Sequence, residues 1–349
     1  MSVRSRIVTE RTVEQEQRGA GFFIPETQQL FFAALDGLEY SRLALSRVNV
    51  DSLATTDKSP VLYDLLRDLA YRTSDGVLAG CTWRKIFLFL PKDLTVMNRI
   101  EGLGQGLGCI GFDRTGDHLV VGSSLRQTVR IIETQAGRVV ASKRIGKFTQ
   151  VQPAVDPHQI ILLDGPTGRL VWFDCVHMRV THEIRSPPFG DVAGSKSAVF
   201  LATGTPEPQG YVPESHAEKF VATSGESPFA GYVPMAGTER VSAATGLAIV
   251  DLGERAMTLQ IPTDTMGSSP YHMIQMNQSG SRLFAFSKQR VRSLSTDTLE
   301  VKAEWTLPEG SFPLAVFQDG ERAVVAFGQW GWSRVALVEP VPGTNGPRR

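Results

Sequence analysis

The sequence predicts an all-β fold, a single seven-bladed β-propeller, and three observations carry that prediction. First, a strand, a turn and a shorter apolar run recur, with the strands at residues 86–89, 129–133, 170–174, 247–251 and 291–294. These units start 43, 41, 77 and 44 residues apart, so one interval holds a period plus an insertion. Second, a parallel series of apolar runs reads Leu30-Phe31-Phe32, Val77-Leu78-Ala79, Leu119-Val120-Val121, Ile160-Ile161-Leu162, Val199-Phe200-Leu201, Leu283-Phe284-Ala285 and Ala323-Val324-Val325. Their spacings are 47, 42, 41, 39, 84 and 40, and the long interval falls where the first series also skips. Third, polar hairpin turns precede several of these runs, with Gly116, Gly280 and Gly320 placed for positive φ. A period in the low forties built from short strands is the mark of propeller blades, which stack in a ring because one small sheet cannot bury both of its faces. Seven central runs mean seven blades.

Taken in order, residues 1–15 hold a strand-like stretch, Arg6-Ile7-Val8-Thr9 to Thr12-Val13, ahead of the first blade. The last blade shows a second strand at 323–327 and a third at 335–338, then Pro340-Val341-Pro342-Gly343 and a flexible polar tail, 343–349, with no fourth strand. The economical reading is that the N-terminal strand completes the last blade, which removes an exposed sheet edge. Between the first two blades, Val61, Leu62, Leu65, Leu66 and Leu69 lie at helical spacing, so 59–71 reads as a short helix or as a loop that packs on the core. Gly102-Leu103-Gly104-Gln105-Gly106-Leu107-Gly108 has no helix after it and therefore lacks the helix N-terminus of a phosphate cradle, so it reads as a flexible loop between blades two and three.

The insertion belongs to blade five, at 204–245. It carries Pro206, Pro208, Pro213, Pro228 and Pro234, which disfavours regular structure. Within it the tetrapeptide Gly-Tyr-Val-Pro occurs twice, at 210–213 and 231–234, 21 residues apart. Long loops in compact domains are functional or disordered, and the duplicated aromatic motif favours an ordered lid or a protein-contact arm.

The first-to-second-strand hairpins, such as Ile110-Gly111-Phe112-Asp113-Arg114-Thr115-Gly116-Asp117-His118-Leu119, resemble the repeats of the WD-repeat and YVTN propeller superfamily. The resemblance spans roughly residues 20–340 as a repeat pattern; the Trp-Asp dipeptide and the Tyr-Val-Thr-Asn tetrapeptide are both absent. It implies the fold and leaves function open, because propellers host unrelated functions. The repeat pattern is also distantly similar to the large subunits of quinone-cofactor amine dehydrogenases, exported propellers whose cofactor lies on a separate small subunit.

Bulk composition narrows the field. In 349 residues, 36 Lys plus Arg balance 36 Asp plus Glu, which argues against a general nucleic-acid or anionic-membrane binder. No run of 18 apolar residues exists, so no transmembrane helix is expected. The three cysteines, Cys81, Cys109 and Cys175, are sparse and odd in number, which fits free thiols in a reducing compartment. With no apolar stretch in residues 1–17 to act as a secretory signal, the expected location is cytoplasmic.

Catalytic chemistry is hard to find. The six histidines form no HxH or HExxH, and no nucleophile elbow or phosphate loop is present, so no catalytic residue, metal or cofactor is assigned. Calcium-dependent lactonase-like propellers use acidic channel ligands; Asp36, Asp164 and Asp191 are the candidates here, and no spacing singles them out. What stands out is one face. Loops joining second to third strands share a face with the blade-to-blade loops, and on that face fall Trp83, Arg84, Lys288, Arg290, Trp330 and Trp332, with Tyr211 and Tyr232 from the insertion and His272 near the channel. Three of the five tryptophans fall in these loops, and interfaces are enriched in Trp, Tyr and Arg. The leading expectation is a non-catalytic scaffold that holds a protein or peptide on this face. The alternative is an enzyme, or a subunit of a dehydrogenase-like complex, with a small-molecule site at the channel mouth under the insertion.

Overall fold

The computed structural model describes residues 4–341 except 18, 25–26, 36–42, 65, 124, 207–240, 263–272, 278, 288–289, 318–319 and 328–331. Its strands form seven four-stranded antiparallel sheets. Six are built from consecutive strands; the first of these comprises Gly19–Ile24, Gln29–Leu35, Leu43–Val48 and Thr55–Lys58. The seventh takes Ser311–Phe317, Arg322–Phe327 and Trp332–Pro340 from the C-terminal end and Ser5–Gln17 from the N-terminal end. In that seam Ser5 lies opposite Pro340 and Thr12 opposite Arg334, and the Val341 N–H donates to the Arg4 carbonyl at 2.7 Å. The 3₁₀ turn Gly165–Thr167 is the helical element that lies wholly within the described residues, and no helix there is long and apolar enough to cross a membrane.

All seven central apolar runs fall on second strands, Val77 alone standing one residue before its strand, and the runs near 86, 129, 170, 247 and 291 lie in third strands. The physical reason is burial on both faces: Leu119–Val121 and Ile160–Leu162 have no solvent exposure, so they read as unbroken apolar runs. Fourth strands are outer edges, and Arg138–Arg144 reads mostly exposed along its length. The core divides into seven clusters, one between each neighbouring pair of blades. One of them joins Leu30, Phe32 and Val48 of the first blade to Leu314, Phe317 and Leu337 of the last. At that seam the Phe23 and Phe317 rings meet edge to face, with centroids 4.9 Å apart. The ring is therefore a chain of similar hydrophobic interfaces rather than one central core.

Of the two readings of 59–71 the structure bears out the loop that packs on the core, and one expectation about the insertion needs correction. Residues 59–71 form no helix among the described residues; they run as irregular chain into the strand Asp68–Tyr71. Leu62 and Leu66 are nevertheless buried between blades one and two, and the Leu62 N–H donates to the Leu43 carbonyl at 2.8 Å. Burial at a four-residue spacing thus came from a wedge between blades, not from a helical face. The edges of the 204–245 stretch are also regular. The strands Ala198–Pro206 and Val241–Asp251 continue their ladder into it, pairing Gly204 with Ala244 and Thr205 with Ala243. The remainder, with both Gly-Tyr-Val-Pro motifs, lies outside the described residues.

Side chains on the first strands tie blade to blade around the axis, where these strands adjoin one another. Asp68 of blade two accepts the Ile110 N–H of blade three at 2.9 Å. Asp191 of blade five accepts the Ile274 N–H of blade six at 2.7 Å. Gln275 of blade six donates to the Val316 carbonyl at 2.8 Å and accepts the Val316 N–H at 3.0 Å. An inner strand pairs on one side only, so its other backbone groups need such partners.

Candidate functional site

The face formed by second-to-third-strand turns and blade-to-blade loops is best defined at blades two and three. In blade two the turn after Leu78–Cys81 is built on Thr82, fully buried, whose hydroxyl oxygen accepts the N–H groups of Arg84 and Lys85 at 3.3 and 3.1 Å. This hydroxyl-capped turn fixes the direction of Trp83. The Arg67 guanidinium carbon stands 4.4 Å from the Trp83 ring centroid, and the Trp83 carbonyl accepts the Leu107 N–H of the next blade at 3.2 Å. Trp83 is thus half-buried in a cation–π contact at a blade seam, while Arg84 is exposed. Cys81 is the buried end of the second strand, just before this turn.

The glycine-rich segment lies beside it. Gly102, Gly104 and Gly106 have φ of 74°, 74° and 83°, whereas Leu103 and Gln105 do not take positive φ, so the sign alternates along the loop. Alternation of this kind turns successive backbone N–H groups toward one side. The segment is anchored, with Leu103 and Leu107 buried in the seam between blades two and three and the Gln105 carbonyl accepting from the Ser123 hydroxyl at 3.1 Å. The Arg126 guanidinium occupies the space that a side chain at Gly104 would need, which explains glycine there. Arg126 is exposed. Behind it, Arg130 is 8% exposed, and its Nη1 is buried with no hydrogen-bond partner. Burial, and then the neighbouring Arg126 charge, hold the Arg130 guanidinium below its usual pKa.

Two other arginine sites are neutralised. Arg290 shares Glu304 with Arg292, at 3.2 and 2.5 Å, and Arg169 holds Glu183 in a two-toothed pair at 2.9 and 2.8 Å. Of the residues singled out from sequence, then, Trp83 and Arg84 share one turn, and Arg290 is ion-paired in blade six. Trp332 begins the third strand of the last blade. Tyr211, Tyr232, His272, Lys288, Trp330 and Asp36 lie outside the described residues. Strand order puts Arg126 in the blade-three turn of this face; Arg130, on the strand that follows, was missed, because nothing in its local sequence marks it.

Two of the three acidic channel candidates, Asp164 and Asp191, are engaged in structure. Asp164 accepts the Thr167 hydroxyl at 2.7 Å, across its own turn. Asp191 is the blade tie described above, and burial pushes its carboxyl up to about 7 against the opposing pull of the Ile274 N–H, the Val192 N–H and the Gln150 amide. Asp68 is likewise raised to about 7 by burial. On the opposite face, the first-to-second-strand turns of blades three and four bring Asp113, His118 and His158 together.

No known protein-family profile matches this chain. No curated protein matches it either. Among solved structures 1638 chains match, a number that reflects a common architecture and so speaks for fold and not for function. One of them is the WD40 domain of Pan2 from Neurospora crassa, with a TM-score of 0.68 and 10% identity over 97% of this chain and 96% of that one. The chain is a WD40-like seven-bladed propeller in fold.

Proposed function

We propose that this chain is a non-catalytic binding module that presents the face around Trp83, Arg84, Arg126 and Arg130 to a protein or peptide partner carrying acidic side chains. The observation that carries the reading is charge without compensation. Arg84 and Arg126 are exposed on neighbouring blades with no carboxylate partner among the described residues, and Arg130 behind them is buried with an unmet donor. A carboxylate reaching Arg130 would gain a charge-assisted hydrogen bond worth about 1.5–3 kcal/mol. The half-buried Trp83 supplies an adjacent apolar surface, the combination typical of interface anchors. The WD40-like fold supports a protein-interaction role in general. The channel-mouth enzyme reading has less behind it, since the buried carboxylates of the inner strands, Asp68 and Asp191, accept backbone N–H groups of the next blade.

The test is partner capture by the wild-type chain and by Arg84→Glu combined with Arg126→Glu. Both side chains are exposed, so the melting temperature should hold while the captured protein is lost. Equal capture by both chains would remove this face from the function.

A further inference from the structure

We propose that Asp113, His118 and His158 form a binding site for one zinc ion at the seam between blades three and four. The three residues come from equivalent turns one blade period apart. Their ligand atoms all lie within 4.8 Å of one another. The Asp113 side chain has no solvent exposure, that of His118 is 19% exposed and that of His158 is 43% exposed, so the group is open to ions from one side.

The two oxygens of Asp113 have different work. Oδ1 accepts the Thr115 hydroxyl at 2.9 Å and the His118 N–H at 3.2 Å, which locks the carboxylate plane. Oδ2 is left facing two imidazoles, with His118 Nδ1 at 2.8 Å and His158 Nδ1 at 3.7 Å. Only the first is a hydrogen bond. His158 Nδ1 is buried and has no hydrogen-bond partner. Nitrogen and oxygen ligands at ordinary zinc bond lengths in a tetrahedron stand about 3.3 Å apart, between the two separations found here. A zinc ion in the centre would take Oδ2 and both Nδ1 atoms and give the orphaned nitrogen a ligand role. Three protein ligands leave a fourth position for water.

Hydrogen bonds outside the group hold it in shape. The Pro157 carbonyl accepts the N–H groups of Arg114 and Thr115 at 3.1 and 3.4 Å, joining the two turns, and the His158 carbonyl accepts the Cys175 N–H at 3.0 Å. Locked ligands of this kind are what raise metal affinity. Two imidazoles and one carboxylate suit zinc better than calcium or magnesium, which prefer oxygen.

The experiment uses the full chain, stripped with a chelator and dialysed, then titrated with Zn²⁺ by calorimetry and with Co²⁺ by visible absorption. The expected result is one ion per chain with a raised melting temperature. His158→Ala should weaken binding at least tenfold, and because that side chain is nearly half-exposed the fold should stand. His118→Ala should do the same. His177→Ala removes an exposed imidazole that pairs only with Asp174, at 2.9 Å, and should bind like wild type. No uptake by the wild-type chain, equal binding by all variants, or equal loss in His177→Ala would each overturn the proposal.

Discussion

Replacing Asp191 with Asn should make the protein more stable at neutral and alkaline pH than at acid pH, relative to wild type. Asp191 is buried between blades five and six, and its carboxyl is raised to about 7 by burial. An unfolded Asp titrates near 3.9, so the folded state holds its proton about 3 pH units longer. The sign follows. The stabilising contribution is complete below the unfolded value and is lost as pH rises through about 7. At about 1.36 kcal/mol per unit the whole loss is about 4 kcal/mol, of which about 1.5 is gone by pH 5 and about 2.5 goes between pH 5 and pH 8. The variant stays neutral throughout. Its Oδ1 can accept the Ile274 N–H, and its amide can donate to Gln150, whose Oε1 is buried without a partner and whose Nε2 now makes only a 3.4 Å contact. Urea unfolding of both proteins at pH 5, 6, 7 and 8 isolates this site, because every other titration is common to the pair. The stability difference should shift toward the variant by about 2.5 kcal/mol across that range. A difference that does not change with pH would show that the Ile274 N–H and its companions outweigh burial, and the reasoning would fail.

Deleting residues 1–15 should lower the melting temperature and cause association, because it strips most of a ladder from Trp332–Pro340 along with the Arg6–Glu339 and Arg334–Glu10 ion pairs; calorimetry and size-exclusion chromatography would read this, and a stable monomer would refute it. Thiol counting in denaturant without reductant should give three, while the native protein reacts slowly, since Cys81, Cys109 and Cys175 are buried and burial pushes all three thiols up. Gly165→Ala should cost about 1–3 kcal/mol, because the new Cβ would collide with the Phe189 backbone carbonyl oxygen of the next blade, whereas Gly108→Ala meets nothing within 4 Å and should cost far less; paired urea melts decide it.

The blade count was legible because each central strand is buried on both faces and so must be apolar throughout, as at Ile160–Leu162. Side-chain position along a blade was legible too, since strand order fixes which turns share a face. What the sequence hid was contact between blades. Leu62 and Leu66 mimic a helical face because a wedge between two sheets also buries residues four apart. Arg126 and Arg130 look like ordinary surface cations in a line of text; only the folded packing of blade three leaves Nη1 of the second without solvent or acceptor. His118 and His158 form no local motif, yet they stand 40 residues apart, one blade period, each at the start of its central strand, His118 opening one and His158 just before the next. In a repeat protein, ligand spacing is read modulo the period, and a search by period would have found that pair.

The same geometry bears on where function can reside in this ring. Near the axis, Asp68, Asp191 and Gln275 of the inner strands are committed, each satisfying backbone groups of the following blade, while Gln150 keeps a buried Oε1 without a partner. Removing such a partner leaves a buried N–H unmet, which costs about 1–3 kcal/mol, so these positions are constrained by folding before any ligand arrives. The turns carry no such duty toward the ladder. At one face they leave Arg126 exposed over a glycine that makes room for it, and at the other they leave His158 Nδ1 without a partner. Unmet donors and acceptors in a folded protein mark places where a partner's atoms can lower the energy, and here the described ones that face solvent-accessible turns lie at the two ends of the blades.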